Sequence, residues 1–526
     1  VFRNLFLGIW LLLVVAFCFP LVAVWLSWGD ISSDLWRHLT QTVLWESTRN
    51  TLFLALAVVP AAAMLGTTLA FFCQFVAIPR WLVWLLILPL TFPKYVLGFL
   101  YLSLLDYAGP VQTAVRPLGV DLSSFLQTGQ LFPVAVVMTL ALYPYVFLSV
   151  REALKSLDPD YLAAAQAMGA GPWKVLGSIC LPQTVPWIAA GSFLVLMECL
   201  SDFGTVAIFN YDTYTTTLYE TWFGLFSFAT AGQLATLVAL LAVFLLYFMQ
   251  RLQRHSYRYS SDVFAARGST PMPLPRGFLW GGGSIVTLTI LLGLLIPLLR
   301  LVWLQYNREI GNWDVLDPLW HTLIIATAVG VACLLIVYLF RLFAMVCGDR
   351  PWLTRAPQLG YSMPGIIVAI GILLMLEKLP FLQFLQGTLM LSCLALSLRF
   401  YALAFANVTT GLARIPSRLG EAAQLMGASP WQILKDIYRP YLIRASLVAL
   451  LFVMIDTAKE MPITLMTRTF GFDTLAIKVF EYTSEGRFDS AAFPALCLTA
   501  FGLVPVIAYS LLADHKNATP QPTPYN

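Results

Sequence analysis

Charged residues are scarce in this sequence. Only 11% of the 526 residues are Asp, Glu, Lys or Arg, whereas 59% are hydrophobic and the mean hydropathy is +0.78. Soluble domains carry about 25% charged residues, so the composition excludes a water-soluble globular protein. It predicts a polytopic membrane protein.

Histidines and catalytic motifs are also lacking. The four histidines are widely separated, and the eight cysteines show no CxxC or CxxxC spacing. These patterns exclude a disulfide framework and a thiolate metal site. The sequence contains no GxxxxGK[ST], HExxH or GxSxG motif, which are signatures of nucleotide-binding, metalloprotease and hydrolase sites. We therefore expect no enzyme activity, no intrinsic cofactor and no permanently bound metal.

Long apolar runs, in contrast, are abundant. Twelve of them are long enough to cross about 30 Å of hydrocarbon as helices. They cover residues 5–28, 50–75, 81–105, 131–150, 183–209, 230–250, 278–304, 319–343, 359–377, 387–408, 441–466 and 490–512. The predicted fold class is an all-α polytopic membrane protein with about twelve transmembrane helices, the first of them an uncleaved span and not a signal peptide.

One stretch of the chain occurs twice. Residues 159–182 read PDYLAAAQAMGAGPWKVLGSICLP and residues 417–440 read SRLGEAAQLMGASPWQILKDIYRP. Gly169, Pro172, Trp173 and Pro182 recur 258 residues later as Gly427, Pro430, Trp431 and Pro440. Earlier in each half the offset is 271, which pairs Thr51 with Thr322 and Pro93 with Pro364. Such ungapped matches indicate an internal duplication, and the apolar segments then form two parallel six-helix repeats.

The duplication divides the chain. We expect a first half at 1–250, a linker at 251–277, a second half at 278–513 and a disordered tail at 514–526. Basic residues in short loops mark the cytoplasmic side. They concentrate in the two copies of the duplicated stretch and in the linker, whereas the loop at 210–229 has none. The predicted topology places both termini, the linker and both copies in the cytoplasm.

Each copy of the duplicated stretch predicts a helix, a sharp turn and a second helix; we call this unit the elbow. The first helix ends at Gly169 or Gly427, because glycine adopts the left-handed conformation with least strain. Gly171 and Ser429 then serve as N-caps before a proline at the first helical position. We expect the second helix to stop before the proline that closes each copy.

Acidic residues recur in the apolar segment after each elbow. Glu198 and Asp202 are four residues apart, and Asp456 and Glu460 repeat this spacing 258 residues later. The spacing predicts that each pair shares one helical face. A carboxylate at the bilayer centre costs roughly 2.5–3.5 kcal/mol, so these groups should face protein, water or a passing cation. We predict that they line a translocation path; the alternative is ion pairs that only support packing, with Lys459 as one partner.

The duplicated stretch resembles the EAA loop of permease subunits in bacterial ABC importers, in which the loop docks into a cytoplasmic ATPase. The resemblance rests on Glu421, Ala422 and Ala423, followed by Gly427 and Pro440. It implies two coupling loops, formed by Ala163, Ala164, Gly169, Pro172 and Trp173 and by Glu421, Ala422, Ala423, Gly427, Pro430 and Trp431. The first copy has Ala163 where the glutamate is expected, so the two halves are predicted to bind their ATPase subunits with unequal strength.

The acidic segments resemble one subfamily more closely. ECLSDFGTV and TYTTTLYETW in the first half, with AKEMPITL in the second, are similar to fused permeases for ferric iron. The resemblance implies a type I importer fold in the bacterial inner membrane, two ATPase subunits that bind ATP and Mg, a periplasmic binding protein and lipid contacts, but no nucleic acid. Fused permeases for thiamine or aminoethylphosphonate share this layout and remain alternatives. A secondary transporter with two six-helix repeats is a further alternative. It has no ATPase partner, so the repeated elbow argues against it.

Overall fold

A computed structural model describes residues 2–29, 33–76, 78–119, 129–157, 159–256, 276–306, 315–348, 350–413, 415, 419, 422–423, 425–429 and 432–517. All regular elements within these ranges are helical. Three predicted coupling residues, Glu421, Pro430 and Trp431, lie outside the described residues, as do most of the predicted linker and tail. Expectations about them therefore stay predictions.

Helices account for nearly the whole described part of the first half. They are α1 (Phe2–Leu26), α2 (Ser33–Thr42), α3 (Leu44–Phe75), α4 (Arg80–Ile87), α5 (Lys94–Leu105), α6 (Pro110–Val115), α7 (Leu131–Lys155), α8 (Pro159–Ala167), α9 (Pro172–Val175), α10 (Leu181–Leu200), α11 (Gly204–Ile208), α12 (Tyr214–Phe223) and α13 (Phe228–Ser256). A π-helical turn, Leu176–Cys180, joins α9 to α10.

The second half repeats this order. It contains α14 (Arg276–Ile290), α15 (Ile296–Tyr306), α16 (Leu316–Cys347), α17 (Pro351–Arg355), α18 (Leu359–Ser362), α19 (Gly365–Lys378), α20 (Leu389–Ala413), α21 (Arg439–Lys459), α22 (Pro462–Met466), α23 (Leu475–Ser484) and α24 (Phe488–Asn517). A π-helical turn, Ile433–Tyr438, precedes α21 at the position equivalent to the one before α10.

The predicted apolar segments correspond one to one with helical segments. Within the described ranges, eight helical stretches are long and apolar enough to cross a membrane, two more segments are bent helix pairs, and two are shorter apolar helices. Equivalent backbone contacts support the duplication. The N–H of Tyr214 donates to Thr51 Oγ1 (3.1 Å), and the N–H of Leu475 donates to Thr322 Oγ1 (2.9 Å).

Two predicted spans are not straight. The segments predicted at 81–105 and 359–377 are bent by 91° and 113°. The bends fall at Phe92–Pro93 and Met363–Pro364, where the residue before proline is extended (φ −71°, ψ 133° at Phe92; φ −94°, ψ 142° at Met363). Proline disfavours the α conformation in the preceding residue, so the duplicated prolines produce duplicated bends.

The acid-bearing spans are also interrupted. Helix α10 ends at Leu200 and α21 ends at Lys459, and the short helices α11 and α22 follow. Asp202 and Glu460 consequently lie in the breaks and not in the preceding helices. The expectation that each acid pair shares one helical face was wrong, because the helix ends between the two carboxylates in each half.

The second helix of each elbow does not stop at the closing proline. Instead, one helical stretch continues from Pro172 to Leu200 in the first half and from Lys435 to Lys459 in the second. A proline lacks the N–H that an α-helix needs and clashes with the preceding turn. The π-helical turns that end two residues before Pro182 and Pro440 widen the helix at this point, so the second helix of each elbow runs on into the span that carries the acids.

The first apolar span of each half, α1 in the first half and α14 with α15 in the second, packs against the other half. In α1, Trp10 stacks on Phe343 with ring centroids 6.3 Å apart, and Phe17 contacts Tyr401 at 5.9 Å. On the opposite side, Arg300 of α15 donates to the Ser103 carbonyl at 3.0 Å. This exchange ties the two repeats together and leaves the equivalent interrupted helices facing each other at the centre.

Candidate translocation site

A cavity of about 170 Å³ lies where the interrupted helices of both halves meet. Its lining includes the proline bend of the first half, Gly365 directly after the proline bend of the second half, and both breaks after the acid-bearing helices. Non-helical backbone at membrane depth is tolerated where it is buried in protein or lines a water-filled cavity. One water needs about 10–15 Å³ of such volume, so the cavity has room for a small hydrated ion.

All four predicted path residues, Glu198, Asp202, Asp456 and Glu460, line this cavity. They are joined there by three cationic residues, Lys94, Arg399 and Lys459. The lining therefore carries four acidic and three basic side chains, a formal excess of one negative charge. The structure thus brings together the residues that the sequence pattern placed in two separate segments.

An ion cluster forms in the first half. Lys94 Nζ lies 2.9 Å from Glu198 Oε2 and 3.3 Å from Asp202 Oδ1, and it also donates to the Glu198 carbonyl oxygen at 2.9 Å. The Asp202 side chain is only 4% exposed, whereas those of Lys94 and Glu198 are 21% and 28% exposed to the cavity side. Pairing lowers the large cost of placing these charges within the membrane region.

Asp202 and Glu460 make equivalent hydrogen bonds to the backbone in their own halves. Asp202 accepts a hydrogen bond from the N–H of Thr205 (3.0 Å), and Glu460 accepts one from the N–H of Ile463 (3.0 Å). Each carboxylate thereby caps the free N–H groups at the start of a short helix, α11 or α22, where a negative charge is favourable. Both side chains are buried, and their hydrogen bonds fix the direction that the backbone takes after each break.

The second half arranges its charges differently. Arg399 Nη1 donates to the Met363 carbonyl (2.7 Å), and Lys459 Nζ donates across the halves to the Leu90 carbonyl (3.4 Å). Among the described residues, neither cation has a carboxylate oxygen within 4.0 Å. Asp456 is half-buried at the cavity wall. Within these ranges Lys459 is thus not the ion-pair partner that the packing alternative required; Lys94 holds that role in the first half.

Sequence reasoning missed Lys94 and Arg399. Both stand inside segments that were identified only by their apolar character, 81–105 and 387–408. An ionisable residue within a membrane segment is itself a sign of a functional site. Their charge inside apolar segments could therefore have identified both residues. The sequence analysis selected only the carboxylates, because only they recur at matched repeat positions.

The elbows have the predicted turn geometry. Gly169 and Gly427 have φ values of 80° and 82°. The N–H of Ala170 donates to the Ala165 carbonyl and that of Ala428 to the Ala423 carbonyl, both at 3.0 Å. This bond between a residue and the one five positions before it is part of the glycine-based helix termination.

The N-cap predictions for the second helix of each elbow are confirmed. Gly171 is the N-cap of α9, with Pro172 at its first position. The Ser429 hydroxyl accepts from the Gln432 N–H (3.3 Å), and the Gln432 side chain accepts from the Ser429 N–H (2.8 Å). This reciprocal pair is a capping box.

Apolar side chains are exposed around each turn. Met168 and Trp173 of the first elbow are 82% and 63% exposed, and Leu425 and Met426 of the second are 90% and 82% exposed. Ala163, Ala164 and Ala422 are also exposed, whereas Ala423 is buried. Clusters of exposed apolar residues mark interaction sites, and here they flank the two equivalent glycine turns.

The duplicated regions match one family. The model of the binding-protein-dependent transport system inner membrane component family matches residues 59–259 and 350–517. The chain belongs to this family. Membership makes it a multi-pass permease of a bacterial inner-membrane ABC importer and implies an ATPase and a binding protein as partners. It also removes the secondary-transporter alternative.

Several relatives with stated substrates are similar to the permease. The Fe(3+)-transport system permease protein FbpB 2 of Haemophilus influenzae is 23% identical over 88% of this chain and 88% of its own length. A putative ferric transport system permease protein of the same organism is 23% identical over 91% of this chain and 79% of its own. A putative 2-aminoethylphosphonate transport system permease protein of Salmonella typhimurium is 30% identical over 33% of this chain and 70% of its own.

Proposed function

We propose that the permease moves ferric iron across the bacterial inner membrane. The observation that carries this proposal is the central cavity, to which both halves contribute carboxylates at equivalent repeat positions. Carboxylate oxygens suit hard cations, and the excess of one negative charge in the lining favours a cation. Similarity to ferric permeases along nearly the whole chain supports the same substrate.

The proposed cycle couples this cavity to the elbows. Two ATPase subunits, which supply the ATP and Mg site that the permease sequence lacks, dock on the exposed residues around Gly169 and Gly427. Because each elbow is continuous with an acid-bearing helix, closure of the ATPases moves α10 and α21 directly. We propose that this movement opens the cavity toward a periplasmic binding protein, which delivers the ion, and that Glu198, Asp202, Asp456 and Glu460 line its path.

The proposed orientation, with both termini in the cytoplasm, predicts which loops an impermeant thiol reagent reaches. A cysteine that replaces exposed Asp212 should react from outside intact spheroplasts, because the loop at 210–229 is assigned to the periplasm. A cysteine that replaces Met168, which is 82% exposed at the first elbow, should react only after permeabilisation. Labelling is read by mass shift against the parent protein. The reverse pattern would place the elbows on the wrong side for ATPase docking.

A phosphonate is the second candidate substrate. Arg399 and Lys459 have no carboxylate within 4.0 Å among the described residues, and such cations can bind the oxygens of an anion. The stretch of the chain that is 30% identical to a putative 2-aminoethylphosphonate permease supports this candidate. The excess negative charge of the whole lining opposes it.

Reconstituted transport distinguishes the candidates. Proteoliposomes that contain the permease with its ATPase and binding protein should accumulate radiolabelled ferric iron only when ATP is enclosed on the ATPase side. An excess of unlabelled 2-aminoethylphosphonate or thiamine should leave the uptake unchanged. Absence of iron uptake together with ATP-dependent accumulation of either organic compound would overturn the ferric assignment.

A further inference from the structure

The ammonium group of Lys94 occupies a cage of oxygen atoms. Its Nζ lies 2.9 Å from Glu198 Oε2, 2.9 Å from the Glu198 carbonyl oxygen and 3.3 Å from Asp202 Oδ1. The carbonyl belongs to the last turn of α10, where the helix presents unpaired carbonyls and a partial negative charge. Two carboxylates and a carbonyl are the ligand types that hard cations prefer.

The second half has no equivalent lysine. At the repeat offset of 271 residues, the position of Lys94 is taken by Gly365. A Cβ atom at Gly365 would lie 2.5 Å from Glu460 Oε1, so a longer side chain has no room there in this conformation. The tethered cation is therefore a property of the first half alone, although the carboxylates are duplicated.

The neighbouring residue carries an unpaired polar group in the same cavity. Tyr95 lines the same cavity and is only 6% exposed. Its hydroxyl is buried and has no hydrogen-bond partner in the described part of the chain. A buried hydroxyl without a partner carries a free-energy cost, which a bound ion with its water shell would relieve.

We propose that Glu198 and Asp202 form a cation site in which the Lys94 ammonium is a resident counter-ion that the transported cation displaces. This inference rests on the proposed cation-transport function and adds a regulatory element to it. In the resting state the lysine neutralises one of the two negative charges of the cage and occupies the position that an adventitious ion would take. Displacement by a trivalent cation frees Lys94 and exposes its charge to the cavity, which favours departure of the ion.

Terbium(III) is a suitable probe, because it is a hard trivalent cation whose luminescence is sensitised by nearby tyrosine. We expect Lys94→Met in the purified permease–ATPase complex to bind terbium about tenfold or more tightly than the parent complex, which corresponds to about 1.4 kcal/mol. Lys94→Arg, which retains the charge, should bind like the parent. Adding Glu198→Gln to Lys94→Met should remove the gain.

Lys459→Met is the matched control, since it removes another cavity cation whose Nζ contacts a carbonyl and not the cage. If it raises terbium affinity as much as Lys94→Met does, general charge and not displacement explains the gain, and the inference falls. An unchanged affinity in Lys94→Met overturns it as well. If Lys94→Met does not assemble, Lys94→Gln takes its place.

Iron uptake by the parent complex separates failure of this inference from failure of the proposed function. Normal ferric uptake with no terbium gain in Lys94→Met contradicts the counter-ion role but leaves the ferric permease standing. A terbium gain without ferric uptake by the parent supports the cation cage and contradicts iron as the substrate.

Discussion

Replacement of Gly427 by valine is expected to uncouple ATP hydrolysis from transport. Gly427 has a φ of 82°, and the left-handed conformation costs an L-residue roughly 1–2 kcal/mol, more when it is β-branched. Among the described residues, no heavy atom other than those of its chain neighbours lies within 4 Å of a Cβ built at Gly427, so we expect the effect to come from the backbone conformation. We expect uptake to fall about tenfold or more while the permease stays in the membrane and basal ATPase activity persists.

Gly427→Asn is the control for this prediction, because asparagine tolerates the left-handed conformation better than other non-glycine residues. It should retain most of the uptake. Gly169→Val tests the other elbow, whose glycine has nearly the same φ, 80°. Uptake in reconstituted vesicles and ATPase rate are measured on the same preparations. Wild-type coupling in Gly427→Val would show that this turn does not transmit the ATPase movement.

The largest effect in the cavity is expected for Asp456→Asn. Asp456 is half-buried at the cavity wall, beside two cations that do not pair with it within 4.0 Å among the described residues. A charge-assisted contact to a passing cation is worth about 1.5–3 kcal/mol, or about tenfold to a hundredfold in rate or affinity. Ferric uptake should fall by that factor without a change in the amount of assembled complex.

Glu460→Gln provides the contrast, since Glu460 caps α22 by accepting from the Ile463 N–H. Loss of a charged cap costs about 0.5–2 kcal/mol, so the amount of assembled complex should fall together with uptake. Glu198→Gln and Asp202→Asn are the repeat-matched pair in the first half. Measuring the amount of assembled complex and the uptake in the same preparations distinguishes a role in the path from a role in assembly. Full uptake in Asp456→Asn would remove that carboxylate from the path.

The site could be predicted only in part. Glu198, Asp202, Asp456 and Glu460 were found from the sequence because intramembrane acids are rare and these recur at one offset. Their different surroundings could not be found this way. The division between two capping acids and two cavity-facing acids depends on the residue at which each helix ends. Gly204 and Pro462 indicate a break after each acid pair, but the helices already end at Leu200 and Lys459, before the second acid of each pair.

The sequence by itself determined the fold class, the duplication and the elbows, because apolar run length, repeat spacing and glycine–proline turn chemistry are local properties of the chain. The tertiary structure decided the packing of the first span of each half against the other half and the partners of the cations in the cavity. Lys94 contacts Glu198, which is 104 residues away in the sequence, and Lys459 contacts Leu90, which is 369 residues away. Contacts over such separations follow from how the helices pack, and no local pattern in the sequence records that packing.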